Sequence, residues 1–104
     1  MKECEITRDG ERLVARIKGE IDHHSAKGIR EKIDGELSGG RVRILELDFS
    51  SVSFMDSSGI GLILGRASKA EGVGACVEVT GLSGALRRIV RMSGVEKIPS
   101  IFVK

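Results

Sequence analysis

The sequence predicts an α/β fold: a single domain on a mostly parallel, mixed β-sheet, with an N-terminal hairpin and helices packed on one face. Three observations carry this. Apolar residues alternate in some segments and recur at helical spacing in others. These segments follow one another in the order β-β-α-β-α-β-α-β. The 104 residues suit one domain and leave no room for a second, so residues 1–104 are expected to form one unit.

The first two strands are expected at Cys4–Arg8 and Arg12–Lys18, flanking Asp9-Gly10, a dipeptide suited to a tight hairpin turn. Leu13, Ala15 and Ile17 alternate with Val14, Arg16 and Lys18, which makes one face apolar. Ser25 offers a helix N-cap, and Ala26, Ile29, Ile33 and Leu37 then recur at helical spacing until Gly39-Gly40 stops the helix. Arg41–Phe49 reads as a buried strand. A linker over Ser50–Asp56 is expected to lead into a second helix from about Ser57 to Glu71, with Ile60, Ile63, Leu64, Ala67 and Ala70 on its inward stripe. Ala75–Val79 is a short apolar strand. Ser83 opens a third helix, with Leu86, Ile89 and Val90 inward and Arg87, Arg88 and Arg91 toward water. Ser93-Gly94 closes it, and Lys97–Val103 reads as a last strand that Pro99 places at an edge. Strand-helix-strand crossovers are right-handed in nearly all cases, so strands laid down in sequence order put every helix on the same face.

Composition narrows the function classes. With 40% hydrophobic and 31% charged residues the chain resembles an ordinary soluble globule. It has no Trp or Tyr and only three Phe, so platforms for stacking nucleic-acid bases are nearly absent. A formal net charge of +2, from interleaved charges, suggests neither a nucleic-acid nor a membrane surface. The N-terminus MKECEITRDG lacks a signal peptide's apolar stretch, and no apolar run approaches the length that spans a bilayer. Cys4 and Cys76 lie far apart without CxxC spacing and read as reduced residues of a cytoplasmic protein.

The stretch FMDSSGIG, Phe54–Gly61, concentrates the chemistry. A serine at a strand-to-helix turn suggests a nucleophile elbow, but neither Ser57 nor Ser58 sits in G-x-S-x-G. The two histidines, His23 and His24, precede the serines, whereas a hydrolase triad of that kind needs one after. Gly59-Ile60-Gly61 with Gly65 resembles a dinucleotide fingerprint, and Glu78 follows at the spacing of an acidic ribose ligand. The intervening linker disagrees with the fingerprint, and Gly61 and Gly65 read better as close helix-to-sheet packing. A small nucleotide-binding domain using Gly59–Gly65 stands as the alternative of another class. Asp22-His23-His24 places three potential metal ligands in a row, but adjacent residues rarely converge on one ion, and a polar loop capped by Asp22 or Ser25 is favoured. No metal and no cofactor are expected. Asp56, Ser57 and Ser58 occupy the N-cap region of the second helix, where free N–H groups and the positive dipole end accommodate an anion, so a phosphoserine would be tolerated there.

FMDSSGIGLILGR, together with GEIDHHSA (Gly19–Ala26) and RMSGVEKI (Arg91–Ile98), resembles the anti-sigma factor antagonists, whose fold is the STAS domain. The resemblance runs from roughly Leu13 to Ile98 with the elements in the same order, and it is closest to the sporulation type. It implies a regulatory protein without catalytic activity. The unphosphorylated form would bind an anti-sigma factor that is also a serine kinase, freeing a sigma factor and activating transcription. The kinase would phosphorylate Ser57, the serine directly after the motif aspartate, and a metal-dependent serine phosphatase would reverse this. Partner contacts are expected from Glu20, Asp22, His23, Ser25, Met55, Asp56, Ser58, Gly59 and Ile60, with Met55 and Ile60 as the apolar ones. No direct contact with nucleic acid or membrane is implied. A STAS module of a general-stress or other partner-switching pathway is the alternative within the family.

Overall fold

The computed structural model describes residues 3–104. In chain order it contains β1 (Cys4–Asp9), β2 (Arg12–Ile21), α1 (His23–Leu37), β3 (Ile44–Met55), α2 (Ser57–Gly72), β4 (Cys76–Thr80), α3 (Gly84–Ser93), a 3-10 turn at Val95–Lys97, and β5 (Ile101–Val103). The sheet order is β1-β2-β3-β4-β5. β1 and β2 are antiparallel, and the three later pairings are parallel. This is the expected mixed sheet.

Strand alternation decides which face the helices cover. Leu13, Ala15 and Ile17 of β2, Leu45 and Leu47 of β3, Val77 and Val79 of β4 and Ile101 of β5 are all buried, in one cluster with Ile29, Ile33, Leu62, Ile63, Leu86 and Val90 from the helices. The other face carries a polar ladder instead. Arg12 lies 3.0 Å from Glu46 and 2.8 Å from Glu78, Thr80 donates to Glu46 at 2.9 Å, and Arg16 pairs with Asp48 at 3.4 Å. Such solvent-facing pairs contribute roughly 0–1 kcal/mol each, so the apolar face provides most of the stability.

Several boundaries differ from expectation. The hairpin loop is Gly10-Glu11, with Gly10 at φ 63° and Asp9 paired opposite Arg12. β3 starts at Ile44 rather than Arg41, although Val42 is already buried. The Ser50–Asp56 linker is strand as far as Met55, because its backbone pairs with Lys18–Ile21 of β2 across two register shifts. On α2, Leu62 is buried and Leu64 exposed. Arg87 is half-buried and donates to the Lys104 carbonyl at 2.7 Å, whereas Arg88 and Arg91 do face water. The last strand shortens to Ile101–Val103.

β4 pairs with β3 only from Ile44 to Asp48. Beyond that point the β2–β3 ribbon continues alone and carries its tip to the edge where the helices begin. The β4–α3 connection folds against the base of this ribbon. Gly81 there has φ 73°, and a Cβ on it would lie 2.7 Å from the Ser50 amide nitrogen and 2.8 Å from Asp48 Oδ1. Gly81→Ala is therefore expected to cost about 1–3 kcal/mol, read as a lower urea midpoint at unchanged m-value. An unchanged midpoint contradicts this close approach.

Candidate functional site

The α2 N-terminus is built by one aspartate. Asp56 holds an extended backbone, its Oδ1 accepts the Ser58 N–H at 2.7 Å, and its carbonyl accepts the Gly59 N–H at 3.0 Å. Its own N–H donates to the Ile21 carbonyl at 3.2 Å, which ties the turn to the end of β2. Ser57 is the first residue of α2 and is exposed, and its side chain enters none of the hydrogen bonds that shape the turn. Ser58 is half-buried.

The α1 N-terminus repeats the device one strand away. Asp22, not Ser25, is the N-cap, and its Oδ1 accepts the His24 and Ser25 N–H groups, each at 2.9 Å. Ser25 completes a reciprocal capping box: its Oγ accepts the Asp22 N–H at 3.0 Å and donates to the Glu20 carbonyl at 2.9 Å. The Ser25 N–H bond, followed by that from His24, holds the Asp22 carboxyl below its ordinary range. With the Asp22 carboxylate used in capping, the His23 and His24 rings meet edge to face, 6.1 Å apart.

Glu20 is paired opposite Phe54, and Ile21 opposite Met55, so the Gly19–Ser25 loop and the Ser57 turn lie side by side. Glu20, His23 and Asp56 are exposed, and Asp22, Ser25, Ser58 and Ile60 are half-buried. Two expected contacts are corrected. Met55 is 1% exposed and belongs to the core, so it offers no surface to a partner. Gly59 is buried beneath it, with a Cβ position 2.5 Å from Met55 Sδ. The exposed apolar group of this turn is Phe54, at 52%, which is not among the expected contacts. Alternation would have found it once Ser50–Met55 is seen as strand, because neighbours of a buried Met55 point outward.

Between α1 and α2 lies an open groove of about 630 Å³. Its charged and polar lining comes from His23, His24, Lys27, Arg30, Ser58 and Arg66, and Gly61 and Gly65 line it as well. The expected close packing of Gly61 and Gly65 does not occur: beyond the helix's own local backbone, neither has a neighbouring atom within 4 Å of where a Cβ would stand. Arg66 is 97% buried by its 3% exposure. It grips Asp34 of α1, with Nε 2.8 Å from Oδ1 and Nη2 donating to Oδ2 at 3.2 Å. The nucleotide reading loses its footing here for a new reason. One residue, Asp56, separates strand from helix, but Gly59–Gly65 lie within α2, where backbone N–H groups beyond the first turn are committed to the helix.

Burial pushes the Cys4 thiol up to about 11, which leaves it neutral, and Cys76 is half-buried on the opposite face of the sheet. No helix among the described residues is long and apolar enough to cross a membrane.

The geometry agrees with what comparison with known proteins finds. The model of the STAS domain matches residues 3–104. An anti-sigma F factor antagonist of Lysinibacillus sphaericus is 38% identical over 90 residues, 86% of this chain and 75% of that protein. The structure of the anti-sigma factor antagonist SpoIIAA in its unphosphorylated form superposes with a TM-score of 0.82 at 33% identity, covering 97% of this chain and 87% of that one. The phosphorylated form of SpoIIAA, a Bacillus cell fate determinant, gives 0.73 at the same identity, covering 97% and 90%.

The α1 cap makes stability depend on acid. Because the folded-state pKa of Asp22 is depressed, its contribution is present above the ordinary aspartate value of 3.8 and is lost as pH falls through the lower folded value. Wild type and Asp22→Ala are expected to differ in urea midpoint at neutral pH and to converge in acid below that value. A difference that stays constant with pH contradicts the role of the carboxylate.

Proposed function

Because the chain belongs to the STAS domain family, we propose that it is an anti-sigma factor antagonist of the sporulation type. Residues 1–104 act as one cytoplasmic binding domain without a catalytic group of its own. In the unphosphorylated state it binds an anti-sigma factor and so releases a sigma factor to activate transcription. The anti-sigma factor is also the serine kinase that uses ATP to modify Ser57, and a metal-dependent phosphatase restores the binding form.

The observation that carries this reading is Ser57 itself. It is exposed on the first turn of α2, and no hydrogen bond of the turn has to break for its hydroxyl to reach a phosphoryl donor. A phosphate there meets a positive helix end, so the fold tolerates it. It also adds about −1.5 to −2 charges beside Asp56. On docking, that charge must be desolvated next to a like charge, and the penalty falls on the complex rather than on the domain. A loss of about 3–4 kcal/mol lowers affinity by about a hundred- to a thousandfold, enough to end binding.

The docking surface extends from the Ser57 turn to its neighbour loop. Glu20, Asp22, His23 and Ser25 flank it on one side, Asp56, Ser58 and Ile60 on the other, and Phe54 takes the apolar role once given to Met55.

Incubation with the purified anti-sigma factor and ATP, followed by mass spectrometry, tests the reading. Wild type is expected to gain one phosphate on Ser57. Ser57→Ala is expected to gain none yet bind the anti-sigma factor with wild-type affinity, and Ser57→Asp to bind at least about tenfold more weakly. Stoichiometric labelling of Ser57→Ala removes Ser57 from the mechanism.

A further inference from the structure

The groove between α1 and α2 has an unexplained feature. Glycine in a helix interior costs roughly 0.5–1 kcal/mol relative to alanine, yet α2 has Gly61 and Gly65 on this groove, where nothing crowds a Cβ. The glycines keep the groove open rather than fit helix to sheet.

The charges around it are one-sided. Lys27 and Arg30 of α1 line the groove, are exposed, and have no carboxylate partner among the described residues. Arg66 deeper in is already neutralised by Asp34. No carboxylate stands in the lining itself. Glu20, exposed and likewise without a cationic partner among the described residues, marks the ribbon tip near the groove's His23–His24 end.

We propose that this groove is a docking channel for an acidic segment of the anti-sigma factor, with carboxylates of that segment pairing with Lys27 and Arg30. The inference rests on the antagonist reading above and adds the chemistry of the partner. The acid at Glu20 and the bases along α1 form a polar pattern that admits the partner in one orientation. Reversing the partner sets its acids against Glu20 and its bases against Lys27 and Arg30, and like-charge juxtaposition is what excludes wrong docking modes. The bare helix surface at Gly61 and Gly65 leaves room for the segment's backbone to approach.

Binding of the full chain to the purified anti-sigma factor, measured by calorimetry at low and at physiological salt, tests this. The double variant Lys27→Glu/Arg30→Glu is expected to lose about tenfold or more in affinity and to show a shallower salt dependence than wild type. Gly65→Leu fills the channel and is expected to bind more weakly while unfolding at or above the wild-type temperature, since it replaces a helical glycine in open space. Equal affinity of the charge-reversed and wild-type chains overturns the groove and leaves the antagonist reading standing. A lowered unfolding temperature for Gly65→Leu shows the channel is closed and overturns it as well. Self-association of the wild-type chain that the charge reversal abolishes makes a second copy the occupant and overturns it too. No binding by the wild-type chain removes the antagonist reading and the occupant together.

Discussion

Parallel pairing of β2 with β3, and of β3 with β4, is the constraint on which the rest depends. A strand that must re-enter its sheet in the same direction needs a crossover, and each crossover helix here begins at the same edge of the sheet. The starts of α1 and α2 are thus neighbours by topology, before any side chain is chosen. What the sequence adds is an aspartate at each start and a bond from the Asp56 N–H to the Ile21 carbonyl, which joins the two turns. The ribbon of β2 and β3 beyond the end of β4 presents both turns past the body of the sheet.

That placement explains how the proposed phosphorylation of Ser57 would have a large effect on docking without refolding the domain. The features that start α2 well, an extended aspartate and the positive end of the helix, also accommodate a phosphate. Below the turn the fold is tightly filled: Met55 lies over Gly59, and the Arg66–Asp34 pair clasps α2 to α1. A buried ion pair of this kind is weak evidence of stability, because desolvation offsets its attraction, but breaking one partner is costly. It holds the two helices at a set spacing beneath an open groove. Rigidity below and exposure above suit a surface whose charge is meant to act where it is placed.

Much of this was legible in the residues, and the parts that were not share physical causes. The alternation of Leu13, Ala15 and Ile17 marked β2 directly, and the glycines and serines at helix ends marked the three helices. The end of β3 was hidden because two register shifts break its period. Phe49, Val52 and Met55 are buried at intervals of three, which no regular strand shows. Without that period the segment resembles a linker, in which Met55 looks like surface and Phe54 has no assigned face. Asp22 and Ser25 were both plausible caps, and each takes half of one capping box, a reciprocity that spacing alone does not rank. Spacing points to packing for Gly61 and Gly65 because small residues on a helix serve close contact more often than open space. Only the position of α1 beside them distinguishes the two.

The central claim is that modification of Ser57 acts by local charge on a preformed surface. Amide spectra of the unphosphorylated and phosphorylated chain, recorded with hydrogen exchange on both, test it most directly. The account predicts resonance shifts confined to the ribbon tip and the first turns of α1 and α2, with unchanged exchange protection in β3 and β4. Shifts or lost protection spreading through β4, α3 and β5 would contradict it, because the switch would then be a rearrangement of the fold.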